Sequence, residues 1–254
     1  MAGVTQKVLY EELTPREFQA RLAQAPIAYL PLGTLEWHGE HLPLGSDGIQ
    51  ARGFFEQLAA RVGGIVLPML FLGPDTIITN EEGDFYGMDF EGMDGLDPMQ
   101  LTGSAYWVSD SDFELILRLV LKQLSRAGFR IVTAHGHGPS TESFIRNRSV
   151  WLNEFGLETY SCSRKDETDG LGIQTDHAGA NETSLVMALR PDLVHVENLS
   201  ADLTRWPLAV EGEDPRIRAS AETGGRVIAL NLKRMSKILN RALAQLDSQR
   251  QRNI

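Results

Sequence analysis

Residues Ile27-Ala28-Tyr29-Leu30-Pro31-Leu32 form a continuous apolar run, of the length that is typical of a buried strand. Apolar residues at roughly helical spacing follow over 48–62, and Ile65 to Leu70 is a second short apolar run. An amphipathic segment at about 112–126 precedes a third run, Phe129 to Ala134. Helices that alternate with short apolar strands predict an α/β fold with a mainly parallel β-sheet flanked by helices.

Three further helices are predicted at about 14–24, 140–154 and 230–247. The first is indicated by a capping box, in which Thr14 would accept from the helix backbone while Glu17 reaches back. Neither a repeat nor a linker divides the chain, so we expect a single domain over residues 1–254.

The segment at about 73–108 shows neither helical nor strand periodicity and is rich in Gly, Asp, Asn and Thr. So long an irregular insert in a compact domain is usually functional. We expect it to cover the active site and to select the substrate with aromatic side chains, which are Phe85, Tyr86, Phe90 and Trp107. The alternative is a lid that only packs an interface between subunits.

Composition limits the classes of partner. The net charge is −10 with a pI near 5.1, and basic residues do not cluster, which argues against nucleic-acid binding. Apolar runs are far shorter than the roughly 20 residues that span a bilayer, so no membrane association is expected. No apolar segment follows Met1, and the single cysteine, Cys162, excludes an intramolecular disulfide. We therefore expect a cytoplasmic protein that acts on a small molecule.

The first cluster of candidate functional residues runs from Glu36 through Trp37 and His38 to Asp47. In an extended segment, residues two apart point the same way, so Glu36 and His38 would share one side while Trp37 faces the other. Intervening glycines and a proline would let the loop bring Asp47 back. Two carboxylates and an imidazole form the ligand set of a borderline or hard divalent ion. The alternative is a surface loop with ordinary polar residues.

The second cluster is His135-Gly136-His137-Gly138, directly after the third apolar run. Glycines on both sides of His137 would let the backbone pass close to a metal ion, and His135 is the weaker candidate. The alternative is a turn whose histidines bond to backbone.

The third cluster, Asp176-His177-Ala178-Gly179-Ala180-Asn181-Glu182, opens a predicted helix, whose start favours negative charge. His177 would act as a general acid or base, or as a metal ligand. The alternative makes His177 an ordinary loop histidine. All three clusters follow strands or open helices, where α/β sheets bind ligands.

Together these motifs resemble the creatininase (creatinine amidohydrolase) family over residues 26–195. Leu30-Pro-Leu-Gly-Thr-Leu-Glu-Trp-His-Gly-Glu-His-Leu-Pro-Leu-Gly-Ser-Asp47 is similar to its Glu-x-His-Gly-x-His-Leu-Pro signature before an aspartate. The turn at 136–138 resembles its Asn-Gly-His motif. His177-Ala-Gly-Ala-Asn-Glu-Thr-Ser184 resembles its His-x-Gly-x-x-Glu-Thr-Ser segment, and Leu189-Arg-Pro-Asp-Leu-Val194 the Pro-x-Leu-Val that follows.

The resemblance implies a Rossmann-related fold, a homohexamer and a dinuclear metal centre. One or two divalent ions per chain (Zn, Mn or Fe) are expected, because the ligands mix imidazole with carboxylate. Glu36, Asp47 and His137 match ligands of one ion, and His38 with a bridging Asp47 matches ligands of the other. His177 matches the catalytic histidine of the family.

Several positions depart from the family pattern. Pro139 stands where creatinine-hydrolysing members have a ligand glutamate, so Glu182 becomes the nearest carboxylate for the second ion and an additional catalytic candidate. Ile173 replaces their tryptophan, Trp37 a glutamine, and His135 an asparagine. Creatinine itself is therefore not the expected substrate.

The resemblance implies a hydrolase in which a metal-bound hydroxide attacks the carbonyl carbon of a small, cyclic amide-like substrate. Substrate-binding roles are assigned to Trp37, His135, Tyr86, Trp107 and Asp176. The stretch Tyr86-Gly-Met-Asp-Phe90 is similar to hydrolases of cyclic keto-inositols, which keeps ring opening at a carbon–carbon bond as an alternative. A metal-dependent sugar isomerase and a metabolite-binding domain are the further alternatives.

Overall fold

The computed structural model describes residues 7–89, 99–163 and 171–252. These residues form strands β1 (Ile27–Leu32), β2 (Ile65–Val66), β3 (Ile77–Asn80), β4 (Gly83–Tyr86), β5 (Ile131–Gly136) and β6 (Glu158–Tyr160). They also form helices α1 (Pro15–Gln24), α2 (Ser46–Val62), α3 (Asp110–Ala127), α4 (Gly138–Arg146), α5 (Arg148–Phe155), α6 (Ala180–Leu189), α7 (Pro215–Arg218) and α8 (Ala221–Arg252).

The main sheet has the order β2-β1-β5-β6, and all of its pairs are parallel. The predicted α/β fold with a parallel sheet is therefore confirmed. From β1 the chain passes through α2 to β2 on one side, whereas from β5 it passes to β6 on the other. The carboxyl ends of β1 and β5 thus border the crevice where α/β sheets bind ligands.

Helices cover both faces of this sheet. Ile27 and Tyr29 of β1 pack in a core with α2, α6 and α8, while Ala28 and Leu30 pack in a second core with α3, α4 and α5. Successive side chains of a strand point to opposite faces. The continuous apolar run of β1 is therefore explained by burial on both faces.

Local signals account for several helix ends. Thr14 and Glu17 form the predicted capping box at the start of α1, and Gly128 ends α3 in a left-handed conformation. The helix predicted over 140–154 is instead two helices, which meet at Asn147. The last helix begins at Ala221, earlier than predicted. None of the described helices is long and apolar enough to cross a membrane.

The segment at 73–108 is less irregular than predicted, because β3 and β4 pair as an antiparallel hairpin. Its two-residue loop consists of Glu81 and Glu82, whereas such loops usually contain Asn-Gly or a similar pair. The usual turn signal is therefore missing from the sequence. Phe90, one of the aromatic residues of the predicted insert, lies outside the described residues.

Gly136 is required where β5 ends beside β1. Its φ is +140°, and a side-chain carbon there would overlap the carbonyl oxygen of Leu32. Only glycine adopts such a backbone without strain. The chain can therefore turn sharply after β5 and place His137 at the edge of the sheet.

Candidate metal centre

Five candidate residues from the three sequence clusters meet at the carboxyl edge of the sheet. Glu36 and His38 follow β1, and His137 lies between β5 and α4. Asp47 lies in the first turn of α2 and Glu182 in the first turn of α6. All five side chains are buried. The amino ends of three helices therefore point their partial positive charge at this cluster of carboxylates.

A first group of possible ligands consists of Glu36, Asp47 and His137. His137 Nδ1 lies 3.0 Å from Glu36 Oε1 and 3.1 Å from Asp47 Oδ2. Three buried donor atoms thus surround one position, as the ligands of a divalent ion do.

A second group consists of His38, Asp47 and Glu182. His38 Nε2 lies 3.5 Å from Asp47 Oδ1 and 3.6 Å from Glu182 Oε2. Asp47 therefore faces the first group with one carboxylate oxygen and the second group with the other. A carboxylate that is shared in this way can bridge two ions.

The ring orientations of both histidines leave one nitrogen for a ligand. His38 Nδ1 donates to the carbonyl oxygen of Glu36 at 3.2 Å, and His137 Nε2 lies 3.1 Å from that of Pro74. Backbone carbonyls fix metal-binding imidazoles in this manner. Within the described residues, buried His38 Nε2 then has no hydrogen-bond partner. That orphaned atom, aimed at two carboxylates, fits a divalent ion.

The electrostatics of the cluster favour the binding of a cation. Burial lowers the pKa of His38, but the charge and hydrogen bond of Asp47, together with the charges of Glu182 and Glu36, outweigh burial and raise the pKa to about 10. Burial, and then the charge of Asp47, raise the pKa of Glu182 well above its ordinary value. Buried carboxylates are costly unless a charge compensates them. Because imidazole is mixed with carboxylate, the residues fit a borderline divalent ion such as Zn or Mn.

His177 lies beside the second group of ligands, and it forms a further group of possible ligands with Glu36 and His38. Its Nε2 donates to the carbonyl oxygen of Trp37 at 2.7 Å, and its ring stacks on that of His38 with centroids 4.2 Å apart. Burial, and then the neighbouring His38, lower the pKa of His177. A neutral imidazole whose Nδ1 lone pair is not used by the Trp37 bond can accept a proton.

The cavity at this edge has a volume of about 420 Å³, and both groups of ligands contribute to its walls. The hairpin of β3 and β4 contributes Gly87 and Met88, which follow β4. Tyr86 stacks on Trp107 with centroids 6.0 Å apart, and Trp107 lies 6.1 Å from the ring of His137. The predicted insert therefore lies against the centre, although neither Tyr86 nor Trp107 itself lines the cavity.

Trp37 and His135, two predicted substrate-binding residues, face elsewhere. The Trp37 indole donates to the carbonyl oxygen of Thr102 and lines a separate surface depression. His135 lies on the face of β5 that packs towards α2 and α8, and burial lowers its pKa to about 4. Neither of these two side chains lines the 420 Å³ cavity.

Asp176 lines the cavity but is already bonded to α6. Its two oxygens accept from the backbone N–H groups of Asn181 and Glu182, at 2.8 and 3.0 Å. The carboxylate therefore satisfies free donors at the start of that helix, and it fixes the position of Glu182.

Sequence reasoning missed two polar residues at the centre. Gln174 donates to Asp47 Oδ1 at 3.1 Å and has a φ of +52°, which is strained for a residue other than glycine. Asp75 Oδ2 lies 3.1 Å from His137 Nε2. Neither belongs to a short motif, and each meets its partner only through the fold.

Comparison with known proteins identifies one matching family and several relatives of this chain. A family model described as "Creatininase: Creatinine amidohydrolase" matches residues 11–239. A creatinine amidohydrolase of Pseudomonas putida is 29% identical over an alignment of 216 positions, with coverages of 77% of this chain and 77% of that protein.

Two other relatives have different reported activities. A 3-dehydro-scyllo-inosose hydrolase of Thermotoga maritima is 25% identical over 202 residues, 75% of this chain and 58% of that protein. A mycofactocin precursor peptide peptidase of Mycolicibacterium smegmatis is 27% identical over 191 residues, 74% of this chain and 67% of that protein. The relatives thus share hydrolysis and differ in substrate.

Solved structures share the fold. One described as "Creatininase Mn" has a TM-score of 0.71 at 21% identity, covering 93% of this chain and 98% of that one. A mutant creatininase of Zn–Zn type has a TM-score of 0.71 at 20% identity, with coverages of 93% and 98%.

Proposed function

This chain belongs to the creatininase family, and from that membership we propose that it is a divalent-metal-dependent amidohydrolase acting on the carbonyl group of a small cyclic substrate. The family and its relatives are hydrolases, so the chain is a hydrolytic enzyme. The resemblance found in the three sequence motifs is thereby confirmed.

The observation that carries the proposal is the sharing of Asp47 between two groups of buried donor atoms. We propose that Glu36 and His137 complete one ion site, and that His38 and Glu182 complete the other. Glu182 then takes the place of the glutamate that the family pattern has at Pro139. One or two ions of Zn, Mn or Fe per chain are proposed. The Mn and Zn–Zn descriptions of the similar creatininase structures support the first two metals.

The remaining residues would orient substrate and move a proton. A divalent ion held in this centre would act as a Lewis acid, which polarises a carbonyl group and lowers the pKa of a water molecule towards about 7. His177, held by its bond to the Trp37 carbonyl, accepts a proton from the attacking water at Nδ1. It then delivers that proton to the leaving nitrogen, so the amine departs in neutral form.

The cavity supports a substrate other than creatinine. Its volume of about 420 Å³ suits a small molecule. Ile173, at the position of the tryptophan of creatinine hydrolases, is 2% exposed and packs in the hydrophobic core. It therefore contributes no wall to the described cavity.

A second candidate is the opening of a cyclic keto-inositol. Gly87 and Met88, from the stretch that is similar to such hydrolases, line the cavity. The relative from Thermotoga maritima adds support. We also propose a homohexamer in the cytoplasm, from the family resemblance and the lack of a second cysteine.

The test combines metal analysis with a substrate panel. Elemental analysis of purified protein should find one to two transition-metal ions per chain. Cyclic amides, formyl amides and keto-inositols are then incubated with the protein, and NMR identifies the bond that opens. Asp47→Ala, purified in parallel, controls for contaminating activity. An active preparation without a transition metal would contradict the proposal.

A further inference from the structure

The hairpin of β3 and β4 is anchored against the candidate metal centre at both of its ends. Asp75 precedes β3 and Gly87 follows β4, and the backbone N–H of Gly87 donates to the carbonyl oxygen of Thr76 at 3.0 Å. A side-chain carbon on Gly87 would lie 2.9 Å from Asp75 Oδ2 and 3.1 Å from Glu36 Oε2. The hairpin backbone therefore lies almost in contact with the carboxylates.

Asp75 connects this hairpin to His137. Its Oδ2 lies 3.1 Å from His137 Nε2, while Oδ1 accepts from the backbone N–H of Thr76 at 2.6 Å. The side chain is only 12% exposed. The backbone N–H of Thr76 thus holds one carboxylate oxygen of Asp75, and the other oxygen is directed at the His137 imidazole.

Asp75 lies on the side of the His137 ring opposite to the other carboxylates. Nδ1 faces Glu36 and Asp47, whereas Nε2 faces Asp75 and the carbonyl oxygen of Pro74. A carboxylate behind a metal-binding imidazole fixes its tautomer and raises its basicity. The geometry therefore makes Asp75 act through His137.

We propose that Asp75 is a positioning residue that orients His137 for the metal ion and thereby couples docking of the hairpin to metal binding. The inference rests on the proposed function, because it requires His137 to bind an ion through Nδ1. Coupling is reciprocal: if the docked hairpin strengthens metal binding, a bound ion stabilises the docked hairpin by the same free energy. Binding of an ion would then also hold Gly87 and Met88, which follow the hairpin, in their place in the cavity wall.

The first experiment measures metal affinity. Apoprotein is titrated with Zn²⁺ in competition with a chromophoric chelator, for the wild type and for Asp75→Ala. We expect binding about tenfold weaker in the variant, at the low end of the 10–100-fold range for such partners, because the Pro74 carbonyl remains as an acceptor. Asp75→Asn keeps an acceptor oxygen and should lose less, and it serves if Asp75→Ala does not fold.

Asp84 provides the matched control. It lies in the same hairpin, is exposed, and bonds to Thr79 at 2.6 Å. Asp84→Ala should bind Zn²⁺ as the wild type does. An equal loss in Asp84→Ala would overturn the inference, because the effect would then come from a weakened hairpin.

The second experiment measures hydrogen exchange of the amides at 76–87 with and without Zn²⁺. We expect the ion to slow exchange in the wild type and to slow it less in Asp75→Ala. Zinc affinity of Asp75→Ala within twofold of the wild type, or metal-induced protection of the hairpin equal to that of the wild type in the folded variants, would overturn the inference while leaving the metal centre intact. Wild-type protein that binds no Zn²⁺ would instead remove the proposed centre, and the inference with it.

Discussion

Asp47 connects the two groups of the candidate centre at the level of single residues. Its Oδ2 lies 3.1 Å from His137 Nδ1 and its Oδ1 3.5 Å from His38 Nε2. Burial by itself would raise the pKa of Asp47. The charges and hydrogen bonds of His38 and His137 outweigh burial and hold that pKa well below its ordinary value. The start of α2 adds partial positive charge. An ionised carboxylate can therefore persist in this buried position.

Replacement of Asp47 and Glu182 should separate the two ion sites. Asp47→Ala removes the shared carboxylate, so we expect it to lose both ions and nearly all activity. Glu182→Gln keeps an oxygen that can accept from the Ala178 N–H but removes a charged ligand, so about one ion per chain should remain. Elemental analysis after gel filtration measures both, with exposed Glu40→Gln as the control. Full metal content in Asp47→Ala would refute the bridge.

His177 should be needed for turnover and not for metal binding. We expect His177→Ala to retain the metal and to lose activity by roughly 10²–10⁴-fold, the range for a general acid or base. Exposed His195, which pairs with Glu197 at 3.1 Å, offers the control His195→Ala, with unchanged kcat. If metal content falls together with activity in His177→Ala, His177 is a ligand.

At the level of elements, the β3–β4 hairpin forms part of the cavity wall. Gly87 has a φ of +55° and leaves no room for a side chain beside Glu36 and Asp75. Gly83, at the start of β4, has a φ of +140° but nothing within 4 Å. Substitutions at these two glycines can therefore distinguish the effect of backbone strain from the effect of crowding at the centre.

Gly87→Ala should weaken metal binding, because the added carbon displaces one or both carboxylates. Gly83→Ala strains the hairpin backbone without approaching the centre, so we expect lower thermal stability with normal Zn²⁺ affinity. Chelator competition and thermal unfolding of both variants provide the comparison. Equal Zn²⁺ affinity in both variants would show that metal binding does not require the close approach of the backbone at Gly87.

The stacked pair of Tyr86 and Trp107 should contribute to substrate binding. Truncation to alanine at both positions removes the aromatic surface beside His137, so we expect a higher KM with metal retained. Tyr106, adjacent in sequence but 57% exposed, gives the control Tyr106→Ala. Unchanged kinetics with a smaller assembly in sedimentation would assign these aromatics to a subunit interface.

At the scale of the whole molecule, the candidate metal centre joins elements from distant parts of the chain. The loop after β1, the turn after β5 and the starts of α2 and α6 supply its candidate ligands. Each ligand carboxylate is buried, and uncompensated burial destabilises the folded state. Metal binding should therefore stabilise the fold as well as create the catalytic centre.

Removal of the metal should lower the melting temperature. An ion that binds only the native state stabilises it by about 2.7 kcal/mol when its free concentration is about 100 times Kd. We expect chelation to lower Tm and Zn²⁺ or Mn²⁺ to restore it. Mg²⁺, which prefers oxygen ligands and retains water, should restore less. An unchanged Tm after verified loss of metal would contradict this role.

Much of the fold could be predicted because its signals are local. The apolar run of β1, the capping box of α1 and Gly128 at the end of α3 depend on neighbours in the chain. The β3–β4 hairpin was missed because its strands are short and its Glu81-Glu82 loop carries no usual turn signal. The break at Asn147 was missed because helical periodicity continues on both sides.

By itself, the sequence determined the α/β class, and three short motifs that resemble the creatininase family pointed to that family and to the five candidate ligands. Each of these signals depends on residue type and spacing within a short segment. Only the tertiary structure brought Glu182 to His38 and Asp75 to His137, and directed Trp37 and His135 away from the cavity. These contacts depend on the strand order β2-β1-β5-β6 and on how helices pack over it. Residues far apart in the chain become neighbours only when burial of the two cores fixes that arrangement.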